Sequence, residues 1–379
     1  MMFINRLAMM SRNEASEMMR KTPTLKDVAG RLGMHKSTVS LALSGKGTIS
    51  AETRQQVLSA AREIGYEPNP IAQRLASGDG ASMVCIFSGV LDVGLATEKI
   101  LLIQKALAAR SLEVPIYTCY DPISTGNKND LGDGRSQAAQ VRQLCRQRPR
   151  AVICAAQRVH SAVLTELETY QSNGGIVVSY DTPIPLSCDR VIFDREDNAY
   201  HAARHILEKG HRRIGIAMSE IAGGAWDPQG YRLNGFRRAL EEFNVPFRDE
   251  WFFRTGTYET GGAEMAARFL QMAERPTAIT IVNDYVALAF MVEVMRAGVR
   301  IPKDLSVVGH DNQPIAAYCP VPLTSMTQPT QKIAQTVVEL LMQRLEEEAS
   351  GPNDDAVYAP RKQVIKGDLV LRDSTTTVE

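Results

Sequence analysis

Apolar positions between residues 24 and 66 recur at helical spacing in three short stretches. Leu25, Val28, Ala29 and Leu32 fall at i, i+3, i+4 and i+7, one stripe of a helix that Thr24 can cap and Gly33 can end. Val39 and Leu43 mark the inner side of a second helix over 36–44, closed by Gly45 and Gly47. Ser50 caps a third, in which Val57, Ala61 and Ile64 face inward and Gly65 follows the last turn. Two short helices joined across a glycine turn and braced by a third predict a helix-turn-helix. Beyond Pro68, residues 69–77 read as one more short helix, with Pro70 in its first turn and Gly78 and Gly80 after it. A helix of that length is unstable alone in water, so it is expected to fold on contact with DNA.

From residue 82 the pattern changes. Apolar runs at 83–87, 114–120, 151–155, 176–180, 190–193, 213–218, 278–282 and 305–309 alternate with amphipathic stretches of helix length. That is the signature of parallel sheets covered on both faces. It occurs twice, a first set ending near Asp181 and a second beginning near Val191, which predicts two lobes with a crevice between them. Residues 121–135, rich in Gly, Asn and Asp, read as a long polar loop, and 363–365 and 368–371 as closing strands.

Composition adds one distinction. Over 379 residues, Lys plus Arg and Asp plus Glu both number 43, yet the cations are not evenly spread. Residues 20–78 carry Arg20, Lys21, Lys26, Arg31, Lys36, Lys46, Arg54, Arg62 and Arg74 against only Asp27, Glu52, Glu63 and Glu67, an excess of five cations, and residues 79–379 carry the matching excess of acids. A basic head on a mildly acidic body suits phosphate binding at the head. The six cysteines form neither a CxxC pair nor a zinc spacing, which favours buried thiols in a reducing compartment and no metal. Arg6, Arg12 and Glu14 interrupt the Met-rich start before an apolar run long enough for a signal peptide or a membrane span, so a cytoplasmic location is expected. Residues 1–21 are read as a flexible extension or a start-site artefact.

On a recognition helix in the major groove, Lys36, Ser37, Ser40 and Leu41 lie outward, opposite Val39 and Leu43, with Lys36 and Ser37 able to donate to bases. Thr24, Thr38, Ser40, Ser50 and Thr53, at or near helix starts, suit phosphates. No catalytic constellation emerges. His201 and His205 stand four apart without a Glu after the first, and GxGxxG, Walker and GxSxG spacings are missing. The alternatives are a solute-binding protein, or an enzyme of carbohydrate metabolism, with an unrelated N-terminal helical bundle.

The stretches Thr24-Leu25-Lys26-Asp27-Val28-Ala29, Ser37-Thr38-Val39-Ser40, Ser50-Ala51-Glu52-Thr53-Arg54, Gly65-Tyr66-Glu67-Pro68-Asn69 and Ala72-Gln73-Arg74-Leu75 resemble the head of the lactose-repressor (LacI-type) regulators. The resemblance continues more loosely through Gly210-His211-Arg212-Arg213-Ile214, Arg232-Leu233-Asn234-Gly235-Phe236, Asn283-Asp284, the stretch from Ile301 to Gly309, and Pro322-Leu323-Thr324-Ser325. It implies an all-α helix-turn-helix head plus hinge helix, joined to a two-lobed α/β body like periplasmic binding proteins. The divisions expected are 22–68 for the head, 69–81 for the hinge helix and linker, and 82–379 for effector binding and dimerisation. Within the body, one lobe is expected at about 82–187 and 328–357, the other at about 188–327 and 358–379.

The resemblance also implies a repressor acting as a homodimer or tetramer on a pseudo-palindromic operator. Asn69 and Arg74 join the DNA contacts, and Leu75 matches a leucine wedged into the minor groove. Arg232, Asn283 and Asp311 match ligand contacts, and Tyr258 a stacking aromatic, for a sugar, polyol or sugar acid; no cofactor is implied. Closing the crevice is expected to uncouple the paired hinge helices, and so to weaken operator binding. Without a Leu-rich tail after Arg372, no coiled-coil tetramer is expected. The chain departs from the family at Leu41, where Arg is usual, at His35, at His310 and in the loop 88–97, which lacks the usual aromatic stretch. Trp226 and Asp227 are expected to supply the missing stacking surface and an acceptor, while Arg195, Arg232 and His310 are three cationic candidates suited to a sugar acid or phosphate.

Overall fold

The computed structural model describes residues 23–44, 49–66, 82–89, 91, 95–118, 134–156, 159–219, 228–256, 258–349 and 359–378. The chain divides into two compact units, 1–79 and 80–379. The expected hinge helix, most of the loop 121–135, Trp226 and Asp227 lie outside the described residues.

The first unit is built from α1 (Leu25–Leu32), α2 (Lys36–Ser44) and α3 (Ala51–Ile64). Val28, Val39 and Val57, one from each helix, are fully buried against one another with Ala29, Ala42, Ala60 and Ala61. Gly33 and Gly65 follow α1 and α3 at φ +63° and +68°, the left-handed conformation that ends a helix at little cost only in glycine. An ion pair from Arg31 to Glu63 at 2.6 Å ties α1 to α3.

The second unit contains, in chain order, β1 (Val84–Ser88), α4 (Ala96–Ala108), β2 (Ile116–Thr118), α5 (Arg135–Arg146), β3 (Ala151–Ala155), α6 (Ala162–Ser172), β4 (Ile176–Asp181), β5 (Asp189–Phe193) and α7 (Arg195–Glu208). There follow β6 (Ile214–Ser219), α8 (Pro228–Glu242), β7 (Phe252–Thr255), α9 (Glu259–Gln271), β8 (Ala278–Ile281), α10 (Asp284–Arg296), β9 (Ser306–Asp311), β10 (Thr324–Thr327), α11 (Thr330–Ala349), β11 (Lys362–Ile365) and β12 (Leu369–Val370). One six-stranded sheet runs β11-β5-β4-β3-β1-β2, the other β12-β10-β9-β8-β6-β7. All pairings are parallel except β10 with β12. Every residue of β1, β3 and β8 is buried, as strands covered by helices on both faces must be.

The lobes divide differently from the sequence expectation. Strand β5 pairs with β4 (Val178 opposite Asp189) and β11 pairs with β5, so both belong to the first lobe rather than the second. A buried charge holds them there: Arg344 of α11 donates to both oxygens of Asp189 at 2.6 and 2.9 Å, and the Arg361 amide adds a third bond at 2.7 Å. The crossings between lobes therefore follow Phe193, Thr327 and Ile365. At the third, a Cβ on Gly367 would overlap the Thr327 carbonyl oxygen, so only glycine lets these segments approach. Asn198 locks the same junction, donating to the Thr327 carbonyl at 2.9 Å and accepting from the Gly367 amide at 3.0 Å. The short strands β7 and β10 are not among the expected runs, because their polar Arg and Thr residues break the apolar pattern.

Candidate functional site

In the first unit, α2 begins with Lys36 and Ser37, both exposed, while Thr38 and Ser40 are partly buried and Leu41 is 42% exposed. The proposed phosphate-facing hydroxyls already have structural partners. The Thr24 amide and hydroxyl both donate to the Asp27 carboxylate, at 2.8 and 2.7 Å. Ser50 Oγ accepts from the Thr53 amide at 3.1 Å, and the two hydroxyls lie 2.8 Å apart. They form helix caps first, which aims the free amides of each first turn outward. Sequence reasoning missed one contact: His35 Nδ1 lies 2.8 Å from Ser37 Oγ, at the start of α2. Asn69, Arg74 and Leu75 lie outside the described residues.

In the second unit, the groups of interest gather at the carboxyl ends of the strands, where open parallel sheets bind ligands. Asp181 ends β4 and Asp311 ends β9, at φ +86° and +88°, a left-handed conformation that costs a non-glycine residue roughly 1 kcal/mol or more. Asp181 is buried between two cations, Lys99 from α4 and Arg195 from the start of α7, and pairs with both. Arg195 also donates to the Asp181 carbonyl at 3.2 Å, its guanidinium 5.3 Å from the centre of the Phe193 ring. Burial alone would raise the Asp181 pKa, but Arg195 and Lys99 outweigh it and hold the carboxyl well below its usual range. Burial pushes the Lys99 ammonium down, against the pull of Asp181. Lys99 shares the apolar stripe of α4 with Ile103 and Leu107 and is 1% exposed. A lysine on that stripe is the signal by which the sequence could have revealed it.

Asp311 is pushed up by burial, with Arg232, Lys99 and Arg195 opposing and Asp181 adding to the rise. Its field therefore joins groups of both lobes. His310 is buried, with Nδ1 2.8 Å from the Ile281 carbonyl. Burial, and then Arg232, lower its pKa to about 4. It is neutral at pH 7, a correction to its expected cationic role. Its Nδ1–H donates to the carbonyl, so Nε2 is an acceptor, and it is buried without a hydrogen-bond partner. The cations here are Lys99, Arg195 and Arg232 against Asp181 and Asp311, an excess of one.

Asn283 caps α10, its Oδ1 accepting from the Val286 amide at 2.9 Å. Tyr258 is half-buried at the start of α9 and packs against Ala96 of α4, a contact from one lobe to the other. Thus Arg232 and Asp311 are brought together with Lys99, Asp181, Arg195 and His310, Tyr258 bridges the lobes, and Asn283 serves a helix. Among the described residues no cluster of His, Cys, Asp and Glu could hold a metal ion, and no helix is long and apolar enough to cross a membrane.

Residues 24–69 match the family model of bacterial regulatory proteins of the lacI family, and 203–375 match a periplasmic binding protein-like domain. The chain is 27% identical over 325 residues to the HTH-type transcriptional repressor PurR of Aliivibrio salmonicida, covering 86% of this chain and 92% of that protein. It is 25% identical over 350 residues to PurR of Vibrio vulnificus, covering 92% and 99%. Among solved structures, the lac repressor dimer bound to operator and the anti-inducer ONPF superposes with a TM-score of 0.77 at 23% identity, covering 94% of this chain and all of that one. A regulator from Silicibacter pomeroyi superposes at 0.74 with 24% identity, covering 93% and 99%. Residues 24–69 thus carry a DNA-binding domain of the lacI family of bacterial regulatory proteins, and 203–375 a periplasmic binding protein-like domain.

Proposed function

We propose that this chain is a sequence-specific transcriptional repressor whose operator affinity is switched by a small molecule held between the lobes of its body. One observation carries the reading: a helix-turn-helix with Lys36, Ser37 and Leu41 exposed shares a chain with a crevice where Asp311 of the second lobe lies in the field of Lys99 and Asp181 of the first. A ligand that bridges these groups stabilises one relative placement of the lobes over another. Differential contact of that kind is what couples a binding site to a distant equilibrium, typically by about 1–3 kcal/mol.

Lys36, Ser37, Ser40 and Leu41 read base edges, while Thr24, Thr38, Ser50 and Thr53 with their helix amides set the register on phosphates. Asn69, Arg74 and Leu75 extend the interface. The effector meets Arg232, Asp311 and the ring of Tyr258, with Trp226 and the amide of Asn283 as further contacts. The excess cation and the acceptor at His310 Nε2 favour a hydroxylated ligand that bears an acidic group, such as a sugar acid, over a neutral sugar. Tyr318 and Leu371, 81% and 64% exposed, supply apolar surface for a homodimer, the form in which the lac repressor was crystallised. Its site of action is the cytoplasm, where the operator lies.

The test is operator binding by fluorescence anisotropy, with the operator taken from a binding-site selection and sugars, polyols and sugar acids added in turn. One class should change the affinity, and Asp311→Asn should abolish that response while leaving ligand-free binding intact. The sign of the response distinguishes inducer from corepressor. A response retained by Asp311→Asn removes the crevice from the mechanism.

A further inference from the structure

Four arginines surround an open cavity of about 910 Å³ at the far end of the first lobe from the crevice. Arg142 and Arg146 come from the last turns of α5, and Arg148 and Arg150 from the loop entering β3. Two are committed. Arg142 grips Glu166 through three bonds of 2.6, 3.1 and 3.1 Å, and Arg150 meets Glu348 at 3.4 Å and the Leu345 carbonyl at 3.0 Å. Arg146 and Arg148 are exposed, and among the described residues their guanidinium groups have no partner. A cation in the last turn interacts well with the helix dipole, which accounts for Arg146 but not for Arg148 beyond the helix. Arg148 stands at φ +49°, where glycine or asparagine would be easier, and its loop is pinned by the Tyr170 hydroxyl donating to the Pro149 carbonyl at 2.6 Å. The cluster puts two guanidinium groups without a described partner, one of them on a pinned loop, on a body whose net charge is negative.

Its place in the fold narrows the occupant. The Arg150 amide donates to the Met83 carbonyl at 2.8 Å, and Met83 is where the segment 67–82, coming from the DNA-reading unit, delivers the chain into the body. Asp181 and the crevice lie at the opposite ends of the strands, about 17 Å away for a five-residue strand such as β3. Sixteen residues, 67–82, thus separate this end of the body from the DNA-reading unit along the chain. Guanidinium forks suit phosphodiester oxygens. We propose that Arg146 and Arg148 are an auxiliary contact to the DNA phosphate backbone, separate from base reading by α2 and from the effector crevice. The inference rests on the repressor reading and adds the body to the DNA-binding surface.

The experiment measures full-length protein on operator and on scrambled duplex across a series of KCl concentrations. Wild type is compared with the double variant Arg146→Ala/Arg148→Ala and with Arg296→Ala, an exposed arginine of the other lobe, as a control for net charge. The double variant should bind both duplexes more weakly by a similar factor. Its slope of log affinity against log salt should be shallower by about 0.9 for each phosphate no longer neutralised. Base preference, effector response and thermal midpoint should match wild type. An unchanged slope overturns the proposal, as does an equal loss in Arg296→Ala. A thermal shift with inorganic pyrophosphate that the double variant loses, with the DNA slope unchanged, would assign the cluster to a free phosphate ester and also overturn it. Failure of wild type to bind either duplex at low salt would refute the repressor reading itself, and the auxiliary contact with it.

Discussion

His35 Nδ1 lies 2.8 Å from the Ser37 hydroxyl and 3.5 Å from the Ser37 amide, so one imidazole nitrogen faces two potential donors at the start of α2. A nitrogen that receives the amide N–H is an acceptor, and the hydroxyl then donates to it as well. That leaves the serine oxygen able to accept from DNA, which suits the amino groups of cytosine or adenine better than the acceptor edge of guanine. His35→Ala should free the hydroxyl to rotate. We expect operator affinity to fall by roughly fivefold, in line with about 1 kcal/mol for a lost cap. Selection from random duplexes should show a relaxed preference at the base pair Ser37 meets; an identical selected sequence would contradict the arrangement.

Leu41 projects from the same helix with 42% of its surface exposed. A leucine can touch a thymine methyl but cannot fork to guanine. Leu41→Arg should shift preference toward guanine at one step of each half-site, with discrimination of about 1–3 kcal/mol for a bidentate contact. The same selection reads it. A preference unmoved by the substitution would displace α2 from the major groove.

The shared carboxylate of the crevice predicts an order of stabilities. Asp181→Asn leaves Lys99 and Arg195 buried without a counter-charge and should cost about 3–5 kcal/mol. Lys99→Met leaves the Arg195–Asp181 pair and removes a desolvated ammonium, so its cost should be small, under about 1 kcal/mol. Urea midpoints rank the two variants. Equal losses would mean that the pairings do not operate as a unit.

The three-helix head was legible because stripe, cap and glycine stop agree at each helix, down to Gly33 and Gly65. The body's two sheets were legible as alternating runs, but the boundary between lobes was not. It depends on Asp189 being held by Arg344, a partner 155 positions away that no local pattern reveals. The crevice was half legible. Arg232 and Asp311 could be proposed from resemblance, whereas Lys99 lay hidden in an apolar helix and His310 looked like a cation until its burial was known. A formal charge counted from sequence carries no information about desolvation, and desolvation decides the state of both.

Desolvation also makes Asp284 sensitive to pH. Its Oδ2 accepts from the Gln313 amide and its Oδ1 from Ser325 Oγ, each at 2.6 Å, and Ser325 Oγ accepts in turn from the Asn312 amide at 3.1 Å. This chain supports the left-handed turn at Asp311 and Asn312. Burial, reinforced by the nearby Asp311, pushes the Asp284 pKa up to about 8, against the lowering effect of the Ser325 hydrogen bond. The unfolded chain releases this proton near its ordinary value of about 3.9. Between those values the native state holds a proton that the unfolded state has lost. Stability therefore falls as pH rises across that window, by up to about 1.4 kcal/mol per pH unit, and the effect levels off above the native value. Asp284→Asn mimics the protonated acid, its carbonyl accepting from Gln313 and its amide donating to Ser325. The variant should match wild type within about 1 kcal/mol near pH 4, and should gain on it steadily toward pH 8 in urea midpoints. A constant difference between the two proteins over that range would show that Asp284 is already ionised in the folded state.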